Sequence, residues 1–397
     1  MKIGIVTETY PPETNGVALT VQGLLEGLRE AGHDVQLVRP RQAHEAAASA
    51  PAGMLCVPGA TLPGYAGLRF GWPATRQLMR VWGAWQPDVV YVATEGPLGH
   101  SALRCAERLG IPVTTGFHTR FDHYARHYRL GWLAPLVRRH LRRFHRRGRA
   151  TLVPTRALAA ELQAMGIDNA RLLSRAVDTG QFAPQYRDPA LRRQWGVADD
   201  VPVMLYVGRI AAEKNLDLAL RAFAAMRASV PNLHYVWVGD GPERAALERA
   251  HPECIFMGMQ HGADLARCYA SADLFVFPSR SETFGNVILE ALASGLATVA
   301  YDCGAAREHI RDGHNGYRVQ EGDEAAFLDA CVHLVRDGRY RDMRASARAS
   351  VVMLSPDAVI ADFDCILSDV AGAGPEPLPA HYRPVSQGLC SRQETCP

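Results

Sequence analysis

The stretch Leu274–Gly295 reads LFVFPSRSETFGNVILEALASG. Its first four residues, Leu274–Phe277, are a bounded apolar run of strand length, as expected of a strand buried on both faces. A loop containing Ser and Gly follows, and Val287–Ala293 then carries the apolar spacing of a helix. Strand, loop and helix in that order predict a βα unit of a parallel sheet. In an open sheet of this kind, ligands bind beyond the carboxyl ends of the strands. Glu282, in the loop, and Glu290, on the helix, therefore stand where a ligand is expected. Backbone N–H groups of the loop Glu282–Asn286 can receive phosphate or sugar oxygens. Two carboxylates can accept hydrogen bonds from vicinal hydroxyls at the two ends of such a ligand. The spacing alone fits a helix cap at Glu282 and a solvated Glu290 equally well.

The same alternation extends in both directions. Strand-like runs fall at Ile3–Val6, Val35–Val38, Val89–Val92, Pro112–Thr115 and Thr151–Val153, with amphipathic stretches such as Ala18–Ala31 between them. A second set follows at Val203–Val207, Tyr235–Val238, Leu274–Phe277 and Ala297–Ala300, with helices such as Leu216–Ala228. Two sets predict two α/β doubly wound domains, and 397 residues are too many for one ordinary core. The polar, Pro-containing stretch Asp178–Asp200 marks the boundary. The reading is an N-terminal domain at 1–185, a C-terminal domain at 195–360, a return helix at 361–371, and a Pro- and Gly-rich disordered tail at 372–397.

The formal net charge of +2 hides an asymmetry. Residues 1–185 carry 22 Lys and Arg against 13 Asp and Glu, and the remainder carries 21 against 28. A basic first half suggests an anionic partner there. Nine scattered cysteines without a CxxC pair fit a reducing compartment, not a disulfide framework. The start MKIGIVTETYPP lacks the apolar core of a signal peptide. No apolar run reaches the length of about 18 residues that a membrane span needs. A cytoplasmic location is expected.

Two further segments carry chemistry. In VGRIAAEKNLD, 207–217, a strand enters a loop bearing Arg209 and Lys214. Two fixed cations at a strand end would neutralise a diphosphate. Lys2 and Lys214 are the only lysines, so a chance lysine in that loop is rare. In TYPPETNGVALTV, 9–21, Gly16 precedes a helix and would let a ligand approach the backbone. No GxGxxG fingerprint is present.

Together these segments resemble the GT-B glycosyltransferases, specifically the retaining family 4 with its E-x7-E motif. The resemblance covers roughly residues 1–370. It rests on the Gly-Val loop near Gly16, Gly208-Arg209 with Lys214 and Asn215, VGDGPE at 238–243, and YASADLFVFPSRSETFGNVILEALASG at 269–295. It implies two facing Rossmann-like domains with the cleft between them and a nucleoside diphosphate sugar as co-substrate. By the same resemblance, Arg209 and Lys214 bind the donor diphosphate, Glu290 holds the ribose, and Glu282 contacts hydroxyls of the transferred sugar. Phe284, Gly285 and Asn286 contact sugar and phosphate through their backbone, Gly16 approaches the phosphate, and the base lies near Phe256–Met259. His118, in TTGFHTRFDHY, would lie beside the transferred sugar and support the reaction, with Asp122 and His123 as weaker neighbours. No cofactor and no metal are expected. The chain departs from the family's frequent patterns at Cys303-Gly304-Ala305-Ala306-Arg307-Glu308 and at Arg175-Ala176-Val177-Asp178.

Residues 123–160 contain ten Arg and no Asp or Glu. Leu133, Leu136, Val137, Leu141 and Phe144 recur at helical steps, with Arg138, Arg139, Arg142, Arg143, Arg146 and Arg147 on the complementary face and Trp132 at one end. This pattern predicts a helix lying on an anionic membrane surface, each Arg contributing about 1 kcal/mol. No aromatic readers are interleaved on that face, so nucleic acid is not the expected partner. The function expected is retaining transfer of a hexosyl unit from a UDP- or GDP-linked sugar to a hydroxyl of a membrane lipid such as diacylglycerol. A soluble or polysaccharide acceptor is the alternative within the class. A nucleotide-sugar epimerase and a non-catalytic peripheral membrane protein are the alternatives outside it. Docking of the Arg-rich helix would place the protein on the inner face of the cytoplasmic membrane.

Overall fold

The computed structural model describes residues 1–13, 15–42, 45, 52–61, 69–118, 134–280, 282 and 284–372. Two compact units result. The first comprises Met1–Arg175 with the segment from Pro356, and the second is Ala176–Ser355.

Among its described residues unit 1 has nine strands: β1 (Lys2–Val6), β2 (Asp34–Pro40), β3 (Met54–Val57), β4 (Gly59–Thr61), β5 (Arg69–Gly71), β6 (Val89–Val92), β7 (Val113–Gly116), β8 (Ala150–Val153) and β9 (Ala170–Leu172). Seven of them form one sheet in the order β3-β2-β1-β6-β7-β8-β9, and β4 and β5 make a small antiparallel pair. All neighbours in the large sheet are parallel. The strands β6, β7 and β8 are buried at every position, as a sheet covered by helices on both faces requires.

Unit 2 repeats the plan with β10 (Val203–Val207), β11 (His234–Val238), β12 (Ile255–Phe256), β13 (Leu274–Phe277), β14 (Ala297–Tyr301) and β15 (Gly316–Val319). The order is β12-β11-β10-β13-β14-β15, again all parallel. The chain from β10 leads outward to β11 on one side, while β13 lies on the other. That reversal opens a crevice at the carboxyl ends of β10 and β13.

The stretch expected to separate the units is instead an ordered part of unit 2, which begins at Ala176. Asp178 Oδ1 accepts from the N–H groups of Gly180 and Gln181, and helix Pro189–Gln194 follows a short turn. The fully buried Arg192 donates to the Ser271 carbonyl at 2.6 Å and to Asp273 at 3.2 Å. Part of the polarity that suggests a linker is thus engaged inside unit 2. The return helix also begins earlier than 361, at Pro356, and runs to Ala371. Its Val359, Phe363, Leu367 and Val370 join Ile3, Ile5, Leu24 and Leu28 in one core, a spacing that keeps one helix face on the sheet. Gly27 permits this docking, because a Cβ there would lie 2.4 Å from Ile360 Cγ1. The tail from 373 lies outside the described residues.

Phe363 is fully buried and meets the Tyr91 ring edge-on, with centroids 5.1 Å apart. Phe363→Ala is expected to destabilise unit 1 by about 3–5 kcal/mol. A lowered midpoint for the unit 1 transition in urea checks this, with the unit 2 transition in place.

Candidate functional site

The crevice of unit 2 collects the residues that the sequence placed on two separate loops. Gly208 leaves β10 at φ 154°, and its N–H donates to the Val238 carbonyl at 3.0 Å. Tyr206 Oη donates to the Arg209 carbonyl at 3.0 Å, which holds the loop against its own strand. Asn215 ends the loop in the left-handed region at φ 56°. Its side-chain amide donates to the Pro278 carbonyl at 3.4 Å, tying the β10 loop to the β13 loop. Across this tie Lys214 Nζ donates to Glu282 Oε1, and Ser279 Oγ donates to the same oxygen at 3.0 Å. Both members of the Lys214–Glu282 pair are largely buried, so their charges are screened less than a surface pair's. Arg209 is exposed, and among the described residues it pairs with Glu213, 3.4 Å away on the next turn.

Beyond Glu282 the chain turns through Gly285 at φ 90° into the helix Asn286–Ala293, and no side chain caps that helix. Its first N–H groups are the kind that receive an oxyanion. Phe284 is buried, and its carbonyl accepts from the Ala305 N–H at 2.7 Å. Gly304 is required for that approach: a Cβ there would lie 2.2 Å from the Phe284 oxygen. Glu290, on the second turn, receives the Tyr269 hydroxyl at 2.8 Å. Burial pushes the Glu290 carboxyl up to about 7, against the lowering effect of that hydrogen bond. Met259, near the expected base position, is exposed.

In unit 1, Gly16 is the first residue of helix Gly16–Glu30, and Asn15 Oδ1 caps the helix by accepting from Val17 N and Ala18 N. Nothing lies within 4 Å of a Cβ built on Gly16. His118 follows β7, as expected, but it is buried and both ring nitrogens are engaged. Arg175 Nη2 donates to Nδ1 at 2.7 Å, and Tyr91 Oη lies 2.6 Å from Nε2. A guanidinium has no acceptor, so Nδ1 must accept and the neutral ring carries its proton on Nε2, facing Tyr91. Burial first, then the Arg175 charge, holds the His118 imidazolium well below its usual range. Asp122, His123 and Trp132 lie outside the described residues.

The Arg-rich helix spans Ala134–His145, and the side chains on its apolar face point the other way from expectation. Leu141 and Phe144 are buried in the cores of unit 1, with Val137 packed beside Leu141. They cover the protein and are closed to a membrane. Leu136 is 65% exposed, and Arg138, Arg139, Arg142, Arg143 and Arg146 all face solvent. None of these five forms an ion pair among the described residues, whereas Arg147 pairs with Glu107 at 2.6 Å. No described helix is long and apolar enough to cross a membrane. Among the described residues no cluster of three His, Cys, Asp or Glu side chains is placed to hold a metal.

Tyr269, Ser279, Tyr91 and Arg175 hold the predicted residues and were not singled out for this from the sequence. Tyr269 lies 21 positions from Glu290, and Arg175 lies 57 from His118. No spacing rule reaches that far.

Two Rossmann-like parallel sheets, with paired cations and carboxylates at the strand reversal of the second, define a glycosyltransferase of the GT-B class. Residues 14–181 match the family described as Glycosyltransferase Family 4, and residues 201–337 match Glycosyl transferases group 1. The chain belongs to glycosyltransferase family 4. It is 36% identical over 354 residues to a GDP-mannose-dependent alpha-mannosyltransferase of Mycobacterium tuberculosis, spanning 88% of this chain and 92% of that protein. It is 27% identical over 351 residues to an alpha-monoglucosyldiacylglycerol synthase of Acholeplasma laidlawii, spanning 82% and 86%. Among solved structures, HepE of Anabaena in complex with UDP shares the fold with a TM-score of 0.72 at 17% identity, over 93% of this chain and 100% of that one.

The raised Glu290 carboxyl has a stability consequence. A carboxyl raised on folding stabilises below its unfolded value, near 4.5, and that contribution is lost as pH rises through about 7. Glu8 in unit 1 is raised to about 7 by burial and adds the same trend there. Glu290→Gln is therefore expected to raise the unit 2 unfolding midpoint above pH 7, by on the order of 2 kcal/mol, and to do little at pH 5. Urea titrations of both proteins from pH 5 to 8.5 check it.

Proposed function

We propose that the protein moves a hexosyl unit, with retention of configuration, from a UDP- or GDP-linked sugar to a hydroxyl of a membrane lipid acceptor. The observation that carries the donor half is the Lys214–Glu282 pair beside Arg209 at the strand reversal of unit 2. As the glycosidic bond stretches, negative charge collects on the leaving diphosphate. Arg209, Lys214 and the uncapped N–H groups at Phe284, Gly285 and Asn286 are suited to stabilise it electrostatically, and we assign no metal to that step. Glu282, held in place by Lys214 and Ser279, is assigned to hydroxyls of the transferred sugar. Glu290, oriented by Tyr269, is assigned to the ribose. Gly16, after β1, is assigned to the phosphate, and His118, whose two ring nitrogens are already engaged, is assigned to support the sugar side only indirectly, through Arg175.

The acceptor half rests on the five exposed Arg of helix Ala134–His145 and on the names of relatives. One acts in making a glucosyldiacylglycerol. The helix meets an anionic membrane through its Arg face and Leu136, with its apolar face in the protein. Cytoplasmic, peripheral association with the inner leaflet follows from that reading.

The test is release of nucleoside diphosphate from UDP-glucose, UDP-galactose, UDP-glucuronate or GDP-mannose, each with and without lipid acceptor in anionic vesicles. Lipid-dependent release from one donor, with a glycolipid product, is expected. Lys214→Ala should lower kcat/KM about 10²–10³-fold; wild-type turnover in that variant would remove Lys214 from the diphosphate. Replacing Arg138, Arg139, Arg142 and Arg143 by Gln should weaken binding to anionic vesicles at low salt, with the loss shrinking as salt is added. Co-sedimentation unchanged at low salt would detach the helix from the membrane.

A further inference from the structure

Among the described residues, Arg175 is a buried cation without an acid. Its residue is 8% exposed, and its one hydrogen bond among the described residues is to His118 Nδ1 at 2.7 Å. No carboxylate pairs with it among the described residues. The groups around it bring no negative charge: the His118 ring is neutral, and burial pushes the Tyr91 hydroxyl up, out of reach of ionisation. Burial lowers Arg175 itself to about 10, which still leaves it charged at neutral pH. Buried charges in proteins are paired as a rule, because desolvating a lone ion is costly. The other buried Arg among the described residues obey that rule: Arg192 meets Asp273, and Arg39 meets Glu45.

The position is also informative. Arg175 follows β9 and His118 follows β7, so both lie past the carboxyl edge of the unit 1 sheet, where a doubly wound sheet takes its ligand. His118 occupies one N–H of five, and the planar fork retains donors suited to two oxygens at once. None of the unused guanidine nitrogens is among the fully enclosed, unpartnered polar atoms of the molecule.

We infer that Arg175, held in place by His118, is the binding site for an oxyanion, a phosphate or a carboxylate, carried by the acceptor substrate on the unit 1 side. That the oxyanion belongs to the acceptor rests on the glycosyl-transfer reading above; the oxyanion site itself does not. A neutral diacylglycerol leaves Arg175 without a counter-ion, whereas a phosphorylated or uronate-bearing acceptor supplies one. His118 then acts beside the anion as the neutral ring that aims the guanidinium, with its Nε2 proton on Tyr91.

The test uses the whole chain and no sugar nucleotide. The imidazole nitrogens of His118 are followed by NMR while inorganic phosphate, glucuronate or, as controls, glucose and chloride are added. The wild type is expected to show the neutral Nε2–H form and a saturable shift with phosphate or glucuronate, absent with glucose and chloride. The tighter of the two active probes tells whether the acceptor carries phosphate or carboxylate. Arg175→Gln should weaken binding at least about tenfold, and Arg175→Lys, which keeps the charge but lacks the planar fork, should recover only part of it. Oxyanions that leave His118 unmoved in the folded wild type, or that bind Arg175→Gln as tightly, overturn the site, and the first result needs no variant. Transfer to neutral and anionic lipids with equal kcat/KM would overturn the acceptor assignment while leaving glycosyl transfer standing.

Discussion

The side-by-side, parallel pairing of β10 with β13, Met204 opposite Leu274 and Leu205 opposite Phe275, is the constraint on which the proposed donor site depends. Parallel neighbours end on the same edge of the sheet. Here the chain also reverses its direction of winding between them, so their two loops stand beside one crevice with no strand in the way. Lys214 and Glu282 are 68 positions apart in the chain and become hydrogen-bonded through this pairing. The Asn215–Pro278 tie then fixes one loop to the other. Lys214 consequently works as a fixed charge with one orientation, which is what electrostatic stabilisation of a developing charge requires.

The elements read best from the sequence are those whose environment is uniform. Val203–Val207 and Leu274–Phe277 are buried at every position, so apolarity alone marks their ends. The strands β3, β9, β12 and β15 were not read. They are edge or near-edge strands of two to four residues with half-buried positions, too short for a period to show. The Pro-containing segment at 178–200 misled for another reason: composition reports polarity but not where its partners are. Arg192 finds its acceptors at 198, 201, 271 and 273, three of which no local rule names for it. The site residues on loops were legible because their types are unusual at strand ends. Their supports were not, because Tyr269 on Glu290 and Tyr91 on His118 are tertiary facts.

Helix Ala134–His145 shows the same limit in a sharper form. Its amphipathic period was visible, and a 3.6-residue period says only that one face is apolar. A membrane and a protein core both satisfy it. The structure gives Leu141 and Phe144 to the core, and this strengthens the electrostatic part of the membrane argument while removing most of the hydrophobic part. A helix anchored by its apolar face holds its Arg side in one direction, and five Arg without acid partners among the described residues form a persistent positive field on that side. Attraction through such a field acts over about a Debye length and weakens with salt.

The positive excess of unit 1 is thus disposed in two ways that do different work. The exposed arginines stay solvated, where each charge is worth little by itself and many together concentrate an anionic surface. Arg175 is withdrawn from water, where a single charge interacts strongly with whatever reaches it. Concentration and discrimination are separate tasks. Solvated charge attracts anions of any shape, whereas a buried guanidinium with its plane set by His118 accepts only an oxyanion that can give up its own water and match the fork. On the proposed reading, a protein that gathers its acceptor among anionic lipids needs the second property in order to use the first, and Arg175, with its plane set by His118 and Tyr91 beyond it, is the group that the proposal gives that task.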